Sequence, residues 1–145
     1  MTRRTKTASG SQPVSTDTIA ARLVFVAYIG LILLLCFGNF DSLPKVSRSF
    51  LGIPTDKVVH FIMFFPFVTI SYYATGKLYK SPWASILLIL ALFILGCVLA
   101  AATEIGQGYT SWRSADPQDF RADSLSLVVG AVVTWFIDIY RRLKK

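Results

Sequence analysis

The chain has 145 residues, 54% of them apolar, and a formal net charge of +7. Its mean hydropathy is +0.56, with the apolar residues gathered into blocks, which argues against an ordinary water-soluble domain. The basic residues flank those blocks instead of alternating with aromatics along a groove, so nucleic acid is set aside as a partner.

Residues 1–18, "MTRRTKTASGSQPVSTDT", are rich in Ser, Thr and basic residues and cannot bury a core. They are expected to be a disordered tail on the cytoplasmic side, followed by one membrane domain over 19–145. The run from Leu23 to Phe40 is long for a signal peptide and lacks a small-residue cleavage site after it, so a retained transmembrane helix is expected. Residues 41–57 contain Pro44, Gly52 and Pro54 and read as a loop, with Thr55 or Asp56 capping the next helix. The second span runs from Val58 to about Gly76 and should kink at Pro66.

"KLYKSP" is a short turn. The third span extends from Trp83 to about Glu104, and the fourth from about Ser124 to Tyr140. Gly96 with Ala100, Ala102 with Gly106, and Ser126 with Gly130 are small pairs four apart, the spacing that lets helices approach closely in lipid. Cys36 and Cys97 lie within apolar runs and read as packing residues, with no CxxC pattern. The fold class expected is all-α, a compact bundle of four transmembrane helices.

Charge sets the expected orientation. With four spans, Arg3, Arg4, Lys6, Arg22, Lys77, Lys80, Arg141, Arg142, Lys144 and Lys145 fall on one side of the membrane. Lys45, Arg48, Lys57, Arg113 and Arg121 fall on the other. The positive-inside rule then puts both termini in the cytoplasm of a plasma (inner) membrane protein.

This topology brings three stretches to the outer boundary. Asp56, Lys57 and His60 enter the second span; Glu104 and Gln107 leave the third; Arg113, Asp119 and Asp123 lead into the fourth. Asp56 and His60, and likewise Asp119 and Asp123, are four apart and share a helix face. Glu104 ends a long apolar run, where a carboxylate is costly unless paired or hydrated. Arg113 is the natural bidentate partner for one of the acids. His60 is the sole histidine, a side chain that can change charge near neutral pH. Asp41 and Asp116 read as solvated loop residues, Asp56 and Asp123 also as simple helix caps, and Tyr72, Tyr109 and Trp112 as interfacial anchors. His60, Asp56, Glu104 and Asp119 offer nitrogen and oxygen ligands, but one histidine without ligand spacing argues against a metal centre, and no cofactor is expected.

With these residues in hand, the chain resembles the VanZ-like family of small membrane proteins. That family carries D-K-x-x-H before an apolar helix, then E-x-x-Q, an Arg, and D-x-x-A-N-x-x-G-x-x-x-G at the last helix. Here "DKVVH" matches at Asp56, Lys57 and His60, and "EIGQ" at Glu104 and Gln107. Arg113 and Asp119 follow at the family's spacing, and "DFRADSLSLVVG" aligns through Asp119, Ala122 and Gly130. The family's Asn is Asp123 here and its first Gly is Ser126. The resemblance covers about residues 20–140. It implies an association with the envelope and, by analogy with the family's teicoplanin-resistance member, with glycopeptide resistance.

Three functions remain open from sequence. One is an outward-facing polar site that binds a lipid headgroup, a lipid-linked cell-wall precursor or a glycopeptide and modulates the envelope. In it Arg113 and Lys57 would contact an anionic group while Glu104 and Asp119 orient them. The second is a membrane enzyme on a lipid-linked substrate, with His60 as acid or base and Glu104 or Asp119 tuning it. The third, a proton-coupled transporter, meets the objection that polar residues in the inner halves of the spans are limited to Thr69, Ser71, Thr75 and Ser85.

Overall fold

The computed structural model describes residues 16–39, 49–50, 52–76 and 81–144. Its five helices are α1 (Thr16–Phe37), α2 (Thr55–Phe64), α3 (Phe67–Ala74), α4 (Pro82–Gln107) and α5 (Pro117–Leu143). Of the expected tail, residues 1–15 and Asp41 in the following loop lie outside the described residues, and Thr16–Thr18 already form the first turn of α1. Among the described residues, four stretches are long and apolar enough to cross a membrane: α1, α2 with α3 as one interrupted span, α4 and α5. By length and composition this is the helix set of a multi-pass membrane protein.

The interruption falls at Phe65–Pro66, where proline has no N–H to continue the ladder. The kink expected there is thus a true break between α2 and α3. Before α2, Ser49–Phe50 pairs antiparallel with Ile53–Pro54 around Gly52, whose φ of 80° suits a residue without Cβ. The N-cap of α2 is Pro54, one residue before Thr55 and two before Asp56, the caps expected from sequence.

The bundle is apolar outside and polar within. Along α5, Leu125, Val128, Val132 and Phe136 face outward. The same helix buries Asp119, Asp123, Ser126, Leu127, Gly130, Thr134 and Asp138. In lipid the outer face needs no polar groups, whereas buried polar side chains find partners on neighbouring helices. The apolar core is Phe64, Phe67, Val68, Ile32, Ile89 and Leu127.

Small residues set the helix spacings. A Cβ on Gly130 would strike the carbonyl oxygen of Phe65 at the α2–α3 break. One on Gly96 would meet Leu127 at 2.6 Å and Phe67 at 2.9 Å, so the pairs Ser126–Gly130 and Gly96–Ala100 do serve close packing. Cys36 is buried and Cys97 half-buried, both free thiols, with Thr103 beside Cys36 as well as the apolar core.

Polar side chains tie the elements at two levels. At one end, Arg22 donates to the carbonyl of Ala74 at 3.3 Å, and Arg142 reaches both Asp138 at 2.7 Å and Ser85. The start of α1 and the end of α5 therefore share that end of the bundle. At the other end lie the last turn of α1, the start of α2, the end of α4 and the start of α5.

Candidate functional site

The second end gathers the residues singled out from sequence. α2 begins beside the start of α5, so Lys57 in the first turn of α2 reaches Asp116 at 2.8 Å and Asp119 at 3.0 Å, with Asp56 at 3.9 Å. One turn deeper, His60 and Asp123 meet across the same α2–α5 seam. Nδ1 of His60 is 3.1 Å from one carboxylate oxygen of Asp123 and 3.3 Å from the other. A carboxylate only accepts, so Nδ1 carries the hydrogen and donates it. Nε2 of His60 is 3.8 Å from Asp119, beyond hydrogen-bond reach. Asp123 is completely buried and His60 nearly so. Asp123 is therefore an interior partner of the histidine and not the cap of the fourth span.

The cap of α5 is Asp116, whose side chain accepts from the N–H of Gln118 at 2.9 Å, with Pro117 at the first helical position. Its own N–H donates to Oε1 of Glu104. Asp116 is thus not a loose loop residue: it joins α4, α5 and Lys57. The Lys57 ammonium beside it holds its carboxyl below the usual range, aided by the Gln118 N–H. Glu104 is buried, and its Oε2 has no hydrogen-bond partner among the described residues. Gln107 turns toward α1 and donates to the carbonyl of Cys36 at 3.1 Å, linking the ends of α4 and α1.

Arg113 departs from the pairing expected of it. Its hydrogen bond goes to the carbonyl of Leu35 at 3.3 Å, and it makes no ion pair among the described residues. It lines a cavity of about 170 Å³ together with His60, Asp56, Leu35, Val59 and Met63. Cationic roles divide accordingly. Lys57 is held by hydrogen bonds to two carboxylates with a third nearby, while Arg113 faces a cavity with one hydrogen bond among the described residues.

Carboxylate oxygens of Asp56, Asp116 and Asp119 lie within 4.8 Å of one another. The Lys57 ammonium sits among them at the distances given above, so their cation is already supplied by the chain. His60, Glu104, Asp119 and Asp123 share one neighbourhood, but Glu104 lies on α4 and takes its hydrogen bond from the start of α5.

The second polar cluster was not anticipated. The Tyr72 hydroxyl donates to Asp138 at 2.7 Å and lies 3.2 Å from Ser85. Tyr72 is buried and is no interfacial anchor, whereas Tyr109 and Trp112 are exposed. Thr69 and Thr134 meet at 2.8 Å between the two clusters. The steps 119, 123, 126, 130, 134 and 138 repeat every three or four residues, a helical stripe that carries the signal for Asp138. Asp116 before Pro117 likewise carries the sequence signature of a cap.

No protein-family model matches the chain, and comparisons with curated proteins and with solved structures return no significant match.

Proposed function

We propose that the chain is a VanZ-like integral membrane protein whose site binds the anionic group of a lipid headgroup or lipid-linked envelope precursor. In this reading the site faces outward from the plasma (inner) membrane, both termini are cytoplasmic, and occupancy modulates the envelope. The observation that carries it is Arg113: a half-buried guanidinium on a cavity wall, beside His60, without a carboxylate partner among the described residues. Such a guanidinium favours a planar two-oxygen contact with phosphate or carboxylate. The resemblance to the VanZ-like pattern supports the reading, because its matching residues Asp56, Lys57, His60, Glu104, Gln107, Arg113 and Asp119 all stand at this end. The cavity is smaller than the roughly 300–1,000 Å³ of pockets that enclose drug-sized ligands, which favours a single headgroup over a glycopeptide.

The test is retention of anionic lipid by the purified full chain, measured by mass spectrometry after release from mixed anionic and zwitterionic vesicles. Arg113→Gln should lose the anionic lipid while Arg113→Lys keeps part of it. Equal retention by all three proteins rejects the reading.

The His60–Asp123 pair favours a second reading, a membrane enzyme acting on a lipid-linked substrate. Asp123 fixes the ring and its tautomer, leaving Nε2 to accept or deliver a proton at a bound substrate. Turnover of a lipid-linked substrate that survives His60→Gln would remove that role.

A further inference from the structure

Building on the anion-site reading, we infer that the ligand is a membrane-resident amphiphile bearing a phosphate group, and that it enters sideways from the bilayer through the seam between α1 and α2. The packing of the helices leaves that route. α1 packs chiefly on α3 and α4, whereas α2 packs chiefly on α5. Deeper in the bundle the seam is closed by Tyr28, whose hydroxyl donates to the carbonyl of Met63. The cavity lies on the outer side of that bridge, between Leu35 of α1 and Val59, His60 and Met63 of α2.

Its walls are of two kinds. Leu35, Val59 and Met63 are apolar, and Val59 is 44% exposed, so the cavity wall runs into the lipid-facing surface. Arg113 supplies the positive charge and the donors, since the Nδ1 hydrogen of His60 is already given to Asp123. Asp56, also on the wall, lies 3.9 Å from Lys57, which is shared with Asp116 and Asp119. A soluble anion would need no apolar approach, whereas the first methylenes of a lipid do.

Size and depth agree. The 170 Å³ cavity is about the share of five or six waters at roughly 30 Å³ each, enough for a phosphate group and little more. The remainder of the ligand must lie outside it. From Thr55 at the helix start to Met63 at the floor, α2 descends about 12 Å at 1.5 Å per residue. That is the depth over which headgroup gives way to acyl chain.

The test uses the full chain in phosphatidylcholine nanodiscs, in two arms. One adds phosphatidate carrying a photoreactive group near the start of an acyl chain, with crosslinks mapped by mass spectrometry. The other adds inorganic phosphate, followed by phosphorus NMR line broadening. The expected result is crosslinks concentrated on α1 and α2, reduced about tenfold in Arg113→Gln and partly restored in Arg113→Lys, with a weaker phosphate response. Crosslinks spread evenly over all four spans and indifferent to Arg113, beside an Arg113-dependent phosphate response, would overturn lateral entry and leave the anion site standing. No Arg113-dependent signal in either arm removes the anion site as well. Circular dichroism of each variant separates lost binding from lost folding.

Discussion

His60 presents Nδ1 to Asp123 at 3.1 Å, and that carboxylate is wholly removed from solvent. Breaking a buried pair by removing one partner typically costs about 3–5 kcal/mol, since the other polar group is left without compensation. Asp123→Leu should therefore destabilise by an amount of that order. Asp123→Asn keeps an acceptor for the Nδ1 hydrogen and should cost about 1 kcal/mol. Denaturant unfolding in mild detergent measures both, and equal losses would argue that the pair is not the cause.

Asp116 links acid stability to the site. Its carboxyl is held low by Lys57, so the folded-state value lies below the unfolded one. The resulting stabilisation is present above the ordinary Asp range and disappears as pH falls through the folded value. Asp116→Asn retains the cap on Gln118 but removes the ion pair. The melting temperatures of wild type and Asp116→Asn should differ at pH 7 and converge as pH falls through the folded-state value, below the ordinary Asp range. A constant difference would contradict the assignment.

The glycines should respond in opposite directions. Gly130→Ala pushes a methyl onto the Phe65 carbonyl, a backbone atom that cannot swing aside, and should cost about 1–3 kcal/mol. Gly30 has nothing within 4 Å of a built Cβ, so Gly30→Ala should stabilise by about half a kcal/mol. Gly106→Ala meets only the edge of the Phe37 ring and should fall between them. Thermal melts of the three variants give the order.

The far cluster should be structural and separable from the site. Arg142 holds Asp138 at 2.7 Å, and Tyr72 holds it from the other side at 2.7 Å. Tyr72→Phe removes one hydrogen bond to a charged group and should cost about 1.5–3 kcal/mol. Anionic-lipid retention per folded molecule should stay unchanged. Reduced retention in folded Tyr72→Phe protein would join the two ends functionally.

Much of the site was legible because its residues lie at helix ends. Apolar runs bound those ends, so Asp56, Lys57, His60, Glu104, Arg113 and Asp119 could be assigned to one level without coordinates. What was not legible was who pairs with whom. Arg113 and Lys57 are both cations at that level, yet Lys57 takes three acids and Arg113 takes a carbonyl, because α2 starts against α5 while the loop after α4 folds toward α1. Tyr72 is buried and not at the interface for the same reason: exposure of an aromatic in a span depends on which helix lies across from it.

Sequence by itself determined which stretches are apolar enough to span, that Pro66 disturbs the second of them, and the level at which Asp56, Lys57, His60, Glu104, Arg113 and Asp119 stand, since these follow from local hydropathy and from proline's missing donor. Tertiary structure alone decided that Asp123 backs His60, that Asp116 binds Lys57, and that Tyr72 meets Asp138. These three pairings join residues more than fifty positions apart, and helix periodicity fixes only the face a side chain occupies. Which face meets which is settled by close contacts such as Gly130 on the Phe65 carbonyl.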